Sequence, residues 1–539
     1  MSRMAEHLMM AAVVLPLAAG AAMLLLGGEQ RRKLKGLVGL AATGALVGIA
    51  IALLGIADAS PAGIAGVYRL GDWPAPFAIV LVADRLAAVM LLLTSVLAFA
   101  ALIFSLARWH RAGAHFHSLF QFLLMGLNGA FLTGDLFNLF VFFELMLAAS
   151  YGLALHGSGR ARVTAGLQYV VVNLAASLLF LIGVSLIYGV SGTLNMADLA
   201  FRIRGLQAGD RALLEAGAAI LGVAFLVKAG MWPLCFWLPT TYAVVSPPVA
   251  AIFTVLTKVG AYIILRLWLL LFAEGTGASA QFGGTWLLLG GLATVAFGAI
   301  GTLASQDLAR LAAFSVLVSS GTVLAATGLG QVGVTGAALF YLISSTLGLS
   351  ALFLLVELVQ RGREPGADVL AVTRELYGEE DVDEEGEVGI AIPATMGLLG
   401  LAFIGCALVI AGLPPLSGFI AKFALLSAAL NPAGMQQGGG SVTAASWALL
   451  VILIISGLSA VVAMTRAGIH ALWTERDVPR VRVIEVAPIA VLLLLCAVQT
   501  LQAGPIMRMM HATAESLHSP RDYVREVLRP ASEKPGGAR

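Results

Sequence analysis

The strongest constraint on this chain is a series of long, continuous apolar runs. A membrane-spanning α-helix needs about 20 predominantly apolar residues, and most of these runs are long enough. Hydrophobic residues make up 59% of the sequence and charged residues only 12%, whereas soluble domains carry about 25% charged residues. The runs are continuous rather than alternating, which excludes a transmembrane β-barrel. The sequence therefore predicts an all-α polytopic membrane protein.

We predict about fourteen membrane-spanning helices, numbered in chain order. They lie near 8–27, 35–56, 83–107, 117–133, 135–156, 163–190, 213–233, 247–273, 284–304, 310–328, 335–360, 392–430 (with a break near 411), 444–466 and 484–503. Residues 1–504 are predicted to form a single transmembrane domain, and residues 505–539 a polar tail that ends disordered. The first run is too long for the apolar core of a signal peptide, so we expect it to be retained as a helix.

Lysine and arginine are concentrated in the loops that follow the first, third, fifth, eleventh and thirteenth helices. These loops are 29–36, 108–111, 160–162, 361–363 and 474–482. The positive-inside rule places them in the cytoplasm, which puts both termini on the opposite side. The arginine-containing loop 202–211 and the basic C-terminal tail are exceptions to this pattern.

Four ionisable side chains fall inside predicted helices and away from the helix ends: Glu144, Lys228, Lys258 and Lys422. A charge at the centre of a membrane helix costs about 2.5–3.5 kcal/mol, so such a residue indicates either a functional site or a structural ion pair. One carboxylate cannot neutralise three ammonium groups, which weakens the ion-pair interpretation for the set. Glu357 is a further candidate that lies closer to a helix end.

The same four residues have the chemistry of a proton relay. Burial in an apolar medium favours the neutral amine of lysine, whereas a neighbouring carboxylate favours the ammonium form. A Glu144–Lys228 pair would therefore hold a proton on Lys228 when the pair is closed and release it when the pair opens. Lys258, which follows Thr254 and Thr257 in the sequence, would be the next stop along a polar line.

Two of the lysines lie beside proline-containing interruptions of an apolar span. Lys228 occurs in "FLVKAGMWPLCFWLP" and Lys422 in "IAGLPPLSGFIAKFALL". Proline removes an amide donor and disturbs the carbonyl four residues back, and discontinuous helices in the two halves of a chain mark transporter binding sites. A packing kink is the alternative for either break alone. The prolines at or beside these breaks are Pro233, Pro247, Pro248, Pro414 and Pro415.

Other chemistry is weakly represented, and neither a metal nor a cofactor is predicted. His110, His115 and His117 are joined by no cysteine or carboxylate, so we predict a surface loop at the lipid boundary rather than a metal site. The cysteine spacing allows no CxxC site, and a net charge of +2 does not indicate nucleic acid.

The acidic run 375–387 is a solvated linker, or else a cation-attracting surface or a docking patch. Arg266, near a helix end, is interpreted as structural.

Four segments together resemble a known family. They are "GDLFNLFVFFELMLAASYGL", "GTLNMADLA", "FLVKAGMWPLCFWLPTTYAVVSPPVAAIFTVLTKVGAYIILR" and "AGLPPLSGFIAKFALL". The segments resemble the D subunit of Mrp-type (also called Pha or Mnh) multisubunit monovalent cation/proton antiporters, a family similar to the antiporter-like membrane subunits of respiratory complex I. The resemblance implies two inverted five-helix repeats, near 117–273 and 284–466, each with one broken helix.

The resemblance also implies roles for individual residues. Glu144 matches the fifth-helix glutamate, and Lys228 the lysine of the broken seventh helix. Lys258 matches the eighth-helix lysine and Lys422 the lysine of the broken twelfth helix; together they would form the proton pathway. Many relatives carry histidine or lysine in the eleventh helix, where this chain has only hydroxyl side chains, so water is expected to link Lys258 to Lys422. These hydroxyl residues are Ser344, Ser345, Thr346 and Ser350, and the first three are predicted to hold the linking water.

The resulting hypothesis is a proton-translocating subunit of a multisubunit Na⁺(K⁺)/H⁺ antiporter in the bacterial cytoplasmic membrane. Its implied partners are other subunits, membrane lipid, protons and Na⁺ or K⁺, and the chain is not expected to be an enzyme on its own. The alternative is a proton-pumping membrane subunit of a complex I-like redox complex. Lys422 favours the antiporter, because some complex I relatives carry glutamate there. A purely structural scaffold would tolerate neutral replacements of Lys228 and Lys422.

Overall fold

A computed structural model describes residues 2–26, 31–113, 115–273, 277–361, 394–431, 442–472 and 481–529. Within these ranges 13 helices are long and apolar enough to cross a membrane. A fourteenth, Phe116–Leu132, is apolar but slightly shorter, and it corresponds to the fourth predicted helix. The prediction of an all-α polytopic membrane protein is confirmed. The acidic run 375–387 lies outside the described residues.

The helices follow the predicted order, with short helices added between and after the spans. They are α1 (Ser2–Leu25), α2 (Arg32–Ala59), α3 (Arg85–Ala107), α4 (Phe116–Leu132), α5 (Leu136–Ala154), α6 (Arg160–Ser191), α7 (Met196–Arg202), α8 (Ala208–Ala229), α9 (Trp237–Val244), α10 (Pro247–Leu271), α11 (Gly284–Ala304), α12 (Leu308–Leu329), α13 (Val332–Gln360), α14 (Ala394–Ala411), α15 (Ser417–Leu430), α16 (Ala444–Leu472), α17 (Val483–Leu501), α18 (Ala503–His518) and α19 (Arg521–Leu528). Helices α10 and α13 are almost wholly buried and pack against each other at the centre.

Both predicted helix breaks are present, and each begins with a glycine of positive φ. Helix α8 ends at Ala229, and Gly230 follows with φ 69°. Helix α14 ends at Ala411, and Gly412 follows with φ 78°. Glycine adopts this left-handed conformation readily and so ends a helix. The seventh predicted helix, 213–233, corresponds to α8 and therefore ends four residues before its predicted end. The pairing of the two halves as inverted repeats stays a prediction.

A two-stranded antiparallel hairpin lies between α2 and α3, where no regular structure was predicted. Strand β1 (Ile64–Arg69) pairs with β2 (Val80–Asp84), with Val67 opposite Val82. The hairpin packs on the first helix, since a Cβ on Gly66 would lie 3.3 Å from Ala5 Cβ. Strands this short carry too few residues for their alternation to stand out beside the long apolar runs.

The C-terminal tail, which was predicted only to be polar with a disordered end, is helical up to Leu528. In α18 the apolar side chains Met510, Ala514 and Leu517 are buried, and their spacing of four and three residues is that of one helix face. Composition alone missed this periodicity. Arg69 of β1 donates to backbone carbonyls at the end of α19, at 3.0 Å from Val527 and 2.7 Å from Arg529. The predicted disordered end, from residue 530, lies outside the described residues.

Arg266 is structural, as predicted, but it does not snorkel to the membrane surface. Its side chain is 5% exposed, and Nη2 donates to both carboxylate oxygens of Asp84 at 2.7 and 2.8 Å. The guanidinium also lies 5.2 Å from the ring centroid of Tyr262 and 5.6 Å from that of Tyr523. The pair therefore ties α10 to the start of α3 and to the C-terminal helix α19.

The ends of α3, α13 and α17 meet on one face of the protein, together with the basic loops. Glu357 lies there, not at mid-membrane, and it accepts hydrogen bonds from Trp109 at 2.5 Å and Arg361 at 2.7 Å. Arg361 also donates to Glu485 at 2.8 Å. Glu357 is thus part of an ion-pair network at this face of the protein.

Breaking the Asp84–Arg266 pair is expected to destabilise the protein. Arg266→Gln leaves a partly buried carboxylate without its partner, a change that costs about 3–5 kcal/mol in free energy of unfolding. Asp84→Asn combined with Arg266→Gln should recover more than half of that loss. Denaturant unfolding in detergent measures both. The control is Arg525→Gln, which removes an exposed pair with Asp522 and should change little; equal losses for Arg525→Gln and Arg266→Gln would contradict the structural role.

Candidate functional site

Lys228 and Glu144 lie near each other but form an open pair. Lys228 occupies the last turn of α8, with its Nζ 5.1 Å from the centroid of the Phe143 ring. Glu144 is electrostatically close to this ammonium, yet no salt bridge within 4.0 Å joins these two described residues. Lys228 Nζ and Glu144 Oε1 are buried and have no hydrogen-bond partner in the described structure. The pair is therefore open, because both atoms are buried and neither is hydrogen-bonded to the other.

The wall beside this pair is aromatic. The ring centroids of Phe143 and Phe225 lie 5.8 Å apart, and those of Phe180 and Phe225 lie 5.2 Å apart. Such a lining carries no hydrogen-bonding groups, and it keeps the local dielectric constant low, which strengthens the interaction between a carboxylate and an ammonium group. The pair is thus arranged so that a small movement changes the interaction energy strongly.

The first helix break is anchored by hydroxyl groups from neighbouring helices. Pro233 has no N–H, so the Ala229 carbonyl four residues earlier lacks its helical donor. Ser320 of α12 donates its Oγ–H to this carbonyl at 2.5 Å. The Trp232 amide donates to Thr294 Oγ1 of α11 at 2.8 Å. The break is therefore fixed against helices of the second half of the chain.

Lys258 lies at the centre of the protein and is hydrogen-bonded to a serine. It is fully buried, and its Nζ donates to Ser319 Oγ of α12 at 2.7 Å. Ser319 Oγ in turn lies 2.7 Å from Ser345 Oγ of α13. Thr254 and Thr257, which precede Lys258 in α10, do not bond to it. The Thr254 hydroxyl lies 2.8 Å from Ser350 Oγ, and the Thr257 hydroxyl lies 2.7 Å from the Tyr242 hydroxyl. The polar connections of Lys258 thus run towards α12 and α13.

A small cavity continues this connection towards the second break. Its volume is about 20 Å³, and its lining includes Ser319, Ser344, Ser345 and Ile410. About 10–15 Å³ is enough for one water molecule when polar partners surround it. Ser344 Oγ also lies 2.7 Å from Ser417 Oγ at the start of α15. Two of the three predicted linking residues therefore line a space of the size of one water.

Thr346, the third predicted linking residue, does not line this cavity. Its hydroxyl donates to the Leu342 carbonyl of its own helix at 2.5 Å. The cavity lies on the side of α13 that carries Tyr341, Ser344 and Ser345. A hydroxyl that is bonded to its own helix contributes no free donor to a neighbouring space.

Lys422 replaces the donors that the second break removes. Its Nζ donates to the carbonyls of Ala411 at 2.8 Å and Ile410 at 3.2 Å. In an unbroken helix these carbonyls would accept from residues 414 and 415, which are both prolines and have no N–H. The ammonium group also lies at the negative end of the α14 dipole, which favours the charged form.

Sequence reasoning missed three buried serines of the site. Ser319, Ser320 and Ser417 are all buried and hydrogen-bonded to groups of the site. Ionisable residues are conspicuous in an apolar helix, whereas a neutral hydroxyl there is common and inexpensive. The signal that would have found Ser319 is the run "FSVLVSSGTVL", in which Ser315 and Ser319 lie four residues apart on one helix face.

The histidine cluster differs from its prediction. His110 and His117 are buried, not at the surface, and their ring centroids lie 5.7 Å apart. Burial, together with the positive charges of Arg111 and Arg32, lowers the pKa of His110. Among the described residues, no group of three or more His, Cys, Asp or Glu side chains is arranged to hold a metal ion.

The fold and its buried lysines define a class of protein, the polytopic antiporter-like membrane subunits. A family model described as "NADH:quinone oxidoreductase/Mrp antiporter, TM" matches residues 133–437. The chain belongs to this family, as the sequence motifs indicated.

Named relatives and a solved structure agree with this assignment. The chain is 60% identical to the D subunit of a probable K⁺/H⁺ antiporter of Rhizobium meliloti, over 97% of this chain and 98% of that protein. It is 35% identical to the D subunit of a Na⁺/H⁺ antiporter of Alkalihalophilus pseudofirmus, over 86% and 88% of the two chains. A chain of the Mrp complex from Dietzia sp. DQ12-45-1b superposes with a TM-score of 0.81 at 26% identity, covering 97% of this chain and 99% of that chain.

Substitution of Gly412 tests whether the position of Lys422 matters. A Cβ on Gly412 would lie 2.5 Å from Lys422 Cδ and 3.2 Å from Nζ, at a φ of 78°. Gly412→Ala should therefore displace the ammonium from the two carbonyls and lower cation-dependent proton transport in everted membrane vesicles by about tenfold or more. Gly397→Ala is the control, since Gly397 of α14 has nothing within 4 Å of its Cβ position. Normal transport by fully assembled Gly412→Ala protein would rule out this dependence.

Proposed function

We propose that this chain is the proton-translocating subunit of a multisubunit Na⁺(K⁺)/H⁺ antiporter. The observation that carries the proposal is the hydrogen-bonded series Lys258–Ser319–Ser345, which ends at a cavity of about 20 Å³. Ser344 lines the same cavity and bonds to Ser417. This series crosses the buried centre of the protein between the two broken helices. It begins at Lys258, and the cavity at its end is also lined by Ile410, whose carbonyl accepts a hydrogen bond from Lys422. Hydroxyls and room for one water are what proton transfer between these two lysines would require.

In this mechanism each group has a distinct task. The open Glu144–Lys228 pair acts as the first switch: closure stabilises the ammonium form of Lys228, and opening favours release of the proton. Lys258 receives the proton and passes it through Ser319 and Ser345. A hydroxyl cannot store a proton at neutral pH, but it can donate one proton while it accepts another. Lys422 is the last group, held by the carbonyls that end α14.

The wider assignment follows the relatives. Their names give K⁺/H⁺ and Na⁺/H⁺ antiporters of which they are one component, so we propose that the chain works within a hetero-oligomeric complex in the bacterial cytoplasmic membrane. Proton influx through it would drive efflux of a monovalent cation, with the cation path in another component of the complex. The family description also includes NADH:quinone oxidoreductase, which supports the alternative of a proton-pumping subunit in a redox complex. Cation-dependent proton movement in vesicles without any electron donor separates the two.

Removing the Glu144 carboxylate tests the first switch. Glu144→Gln keeps the size of the side chain but takes away the charge that stabilises the ammonium form of Lys228. We expect dissipation of the pH gradient on addition of Na⁺ or K⁺ to everted vesicles to be abolished, while the complex still assembles and co-purifies. The control is Glu515→Gln, an exposed acid on α18, which should leave transport unchanged. If the pH gradient in the Glu144→Gln vesicles is dissipated as in the wild type, the proposed function is contradicted.

Removing the two central hydroxyls tests the link. In a Ser319→Ala/Ser345→Ala variant the Lys258 ammonium loses its partner and the cavity loses two polar groups. Proton transport should fall by about tenfold or more, because a hydrogen bond to a charged group is worth about 1.5–3 kcal/mol. Ser185→Ala is the matched control, since this exposed hydroxyl bonds only to its own helix, at Leu181. If the double variant transports protons at the wild-type rate, the route does not pass through these serines.

A further inference from the structure

A large basic cavity lies on the face where the basic loops meet, away from the relay. Its volume is about 600 Å³, and its charged lining consists of Arg108, Arg111, Arg361, Arg482 and Glu485. The rest of the lining is small and apolar. Four guanidinium groups around one cavity repel one another unless anions balance them. The balance of charge therefore decides what the cavity can bind.

The carboxylates near this cavity do not neutralise its arginines. Arg361 uses Glu485, at 2.8 and 3.1 Å, and Glu357 at 2.7 Å. Arg108 lies at 3.6 Å from the already engaged Glu357. Across the described residues, Arg111 and Arg482 form no salt bridge within 4.0 Å. Among the described residues, and with Glu357 counted, the four arginines exceed the two carboxylates that contact them by two charges.

The cavity lies at the membrane–water boundary. Arg108 follows the last residue of α3, Arg361 the last of α13, and Arg482 precedes the first of α17. All three helices are long and apolar enough to span the membrane. The positive-inside rule assigns this face to the cytoplasm. A ligand here would meet both the aqueous side and the edge of the lipid.

An exposed apolar stripe on α17 runs from the cavity along the membrane-spanning surface. It begins at Val483, which is next to Arg482 and 84% exposed. It continues through Val491, Leu494 and Val498, which are 48%, 61% and 42% exposed. The spacing of eight, three and four residues places these side chains on one helix face. An acyl chain can lie along such a stripe while its headgroup occupies the cavity.

We propose that this cavity binds the phosphate groups of an acidic phospholipid of the cytoplasmic leaflet. Guanidinium groups bind phosphate through two parallel hydrogen bonds, and basic pockets between membrane helices on the cytoplasmic side bind such headgroups. The excess of two positive charges fits a headgroup with two phosphates, of the cardiolipin type. The stripe on α17 favours a lipid over free phosphate or an acidic protein segment, because neither of those has an apolar chain to lay along it.

The test uses the purified antiporter complex that contains this chain, stripped of lipid with detergent. Binding is measured as the shift in thermal unfolding midpoint against added cardiolipin, with phosphatidylcholine and inorganic phosphate as comparison probes. The variants are Arg111→Gln/Arg482→Gln and Arg111→Lys/Arg482→Lys. Arg160→Gln is the matched control, an exposed arginine on the same face outside the cavity. Native mass spectrometry counts the lipid retained by each.

Cardiolipin should stabilise the wild-type and Arg160→Gln complexes, and phosphatidylcholine should not. The glutamine double variant should bind cardiolipin about 30-fold more weakly, because each arginine near an acidic lipid contributes to the attraction, and the lysine double variant should bind in between. Equal cardiolipin affinity in all variants overturns the site. Equal stabilisation by inorganic phosphate overturns the lipid as the source of the phosphate. Tighter cardiolipin binding after neutralisation of the acidic run 375–387 identifies that run as the occupant instead.

Discussion

Carbonyl groups that lose their helical donor to a proline are the constraint on which much of this structure depends. Inside a membrane no bulk water replaces the missing N–H, so another part of the protein has to supply a donor. Three of the four donor side chains come from positions at least 82 residues away in the sequence, and the fourth, Lys422, comes from the other side of its own break. The pairs are Asn128 with the Ala12 carbonyl freed by Pro16, Ser320 with Ala229 freed by Pro233, Arg162 with Val244 freed by Pro248, and Lys422 with Ile410 and Ala411 freed by Pro414 and Pro415. Each pair fixes one proline-containing segment against another helix, so these segments also hold the bundle together.

The two breaks solve this constraint differently, and the difference separates the two lysines. At the first break a neutral hydroxyl, from Ser320, satisfies the carbonyl, and Lys228 Nζ has no hydrogen-bond partner in the described structure. At the second break Lys422 itself satisfies the carbonyls. A group without fixed partners can move towards a neighbouring carboxylate at little cost, whereas a group that completes the backbone cannot. The chain therefore combines one adjustable ammonium group and one fixed ammonium group, although the sequence around the two lysines looks alike.

How much of this structure could be predicted from the sequence depends on how much free energy each feature costs. Glu144, Lys228, Lys258 and Lys422 stood out because a charge in an apolar run is expensive and visible in one dimension. The breaks stood out because proline removes a donor wherever it occurs. Ser319 and Ser417 did not stand out, since a buried serine costs little and its partner lies far away in sequence. The β-hairpin and the helices of the tail were missed because their patterns are short. The bidentate pairing of Arg266 with Asp84 was missed because it joins residues 182 positions apart.

The small cavity lined by Ser344 and Ser345 has a consequence for the proposed proton route. Its volume of about 20 Å³ suits one water molecule, and among the described residues that line it there is no carboxylate. A Na⁺ or K⁺ ion would have to leave its hydration shell outside and would find only a few hydroxyl oxygens in exchange. A proton needs no such shell, because it moves by exchanging bonds between hydroxyl groups and water. On that route, room rather than charge would therefore decide which cation is admitted.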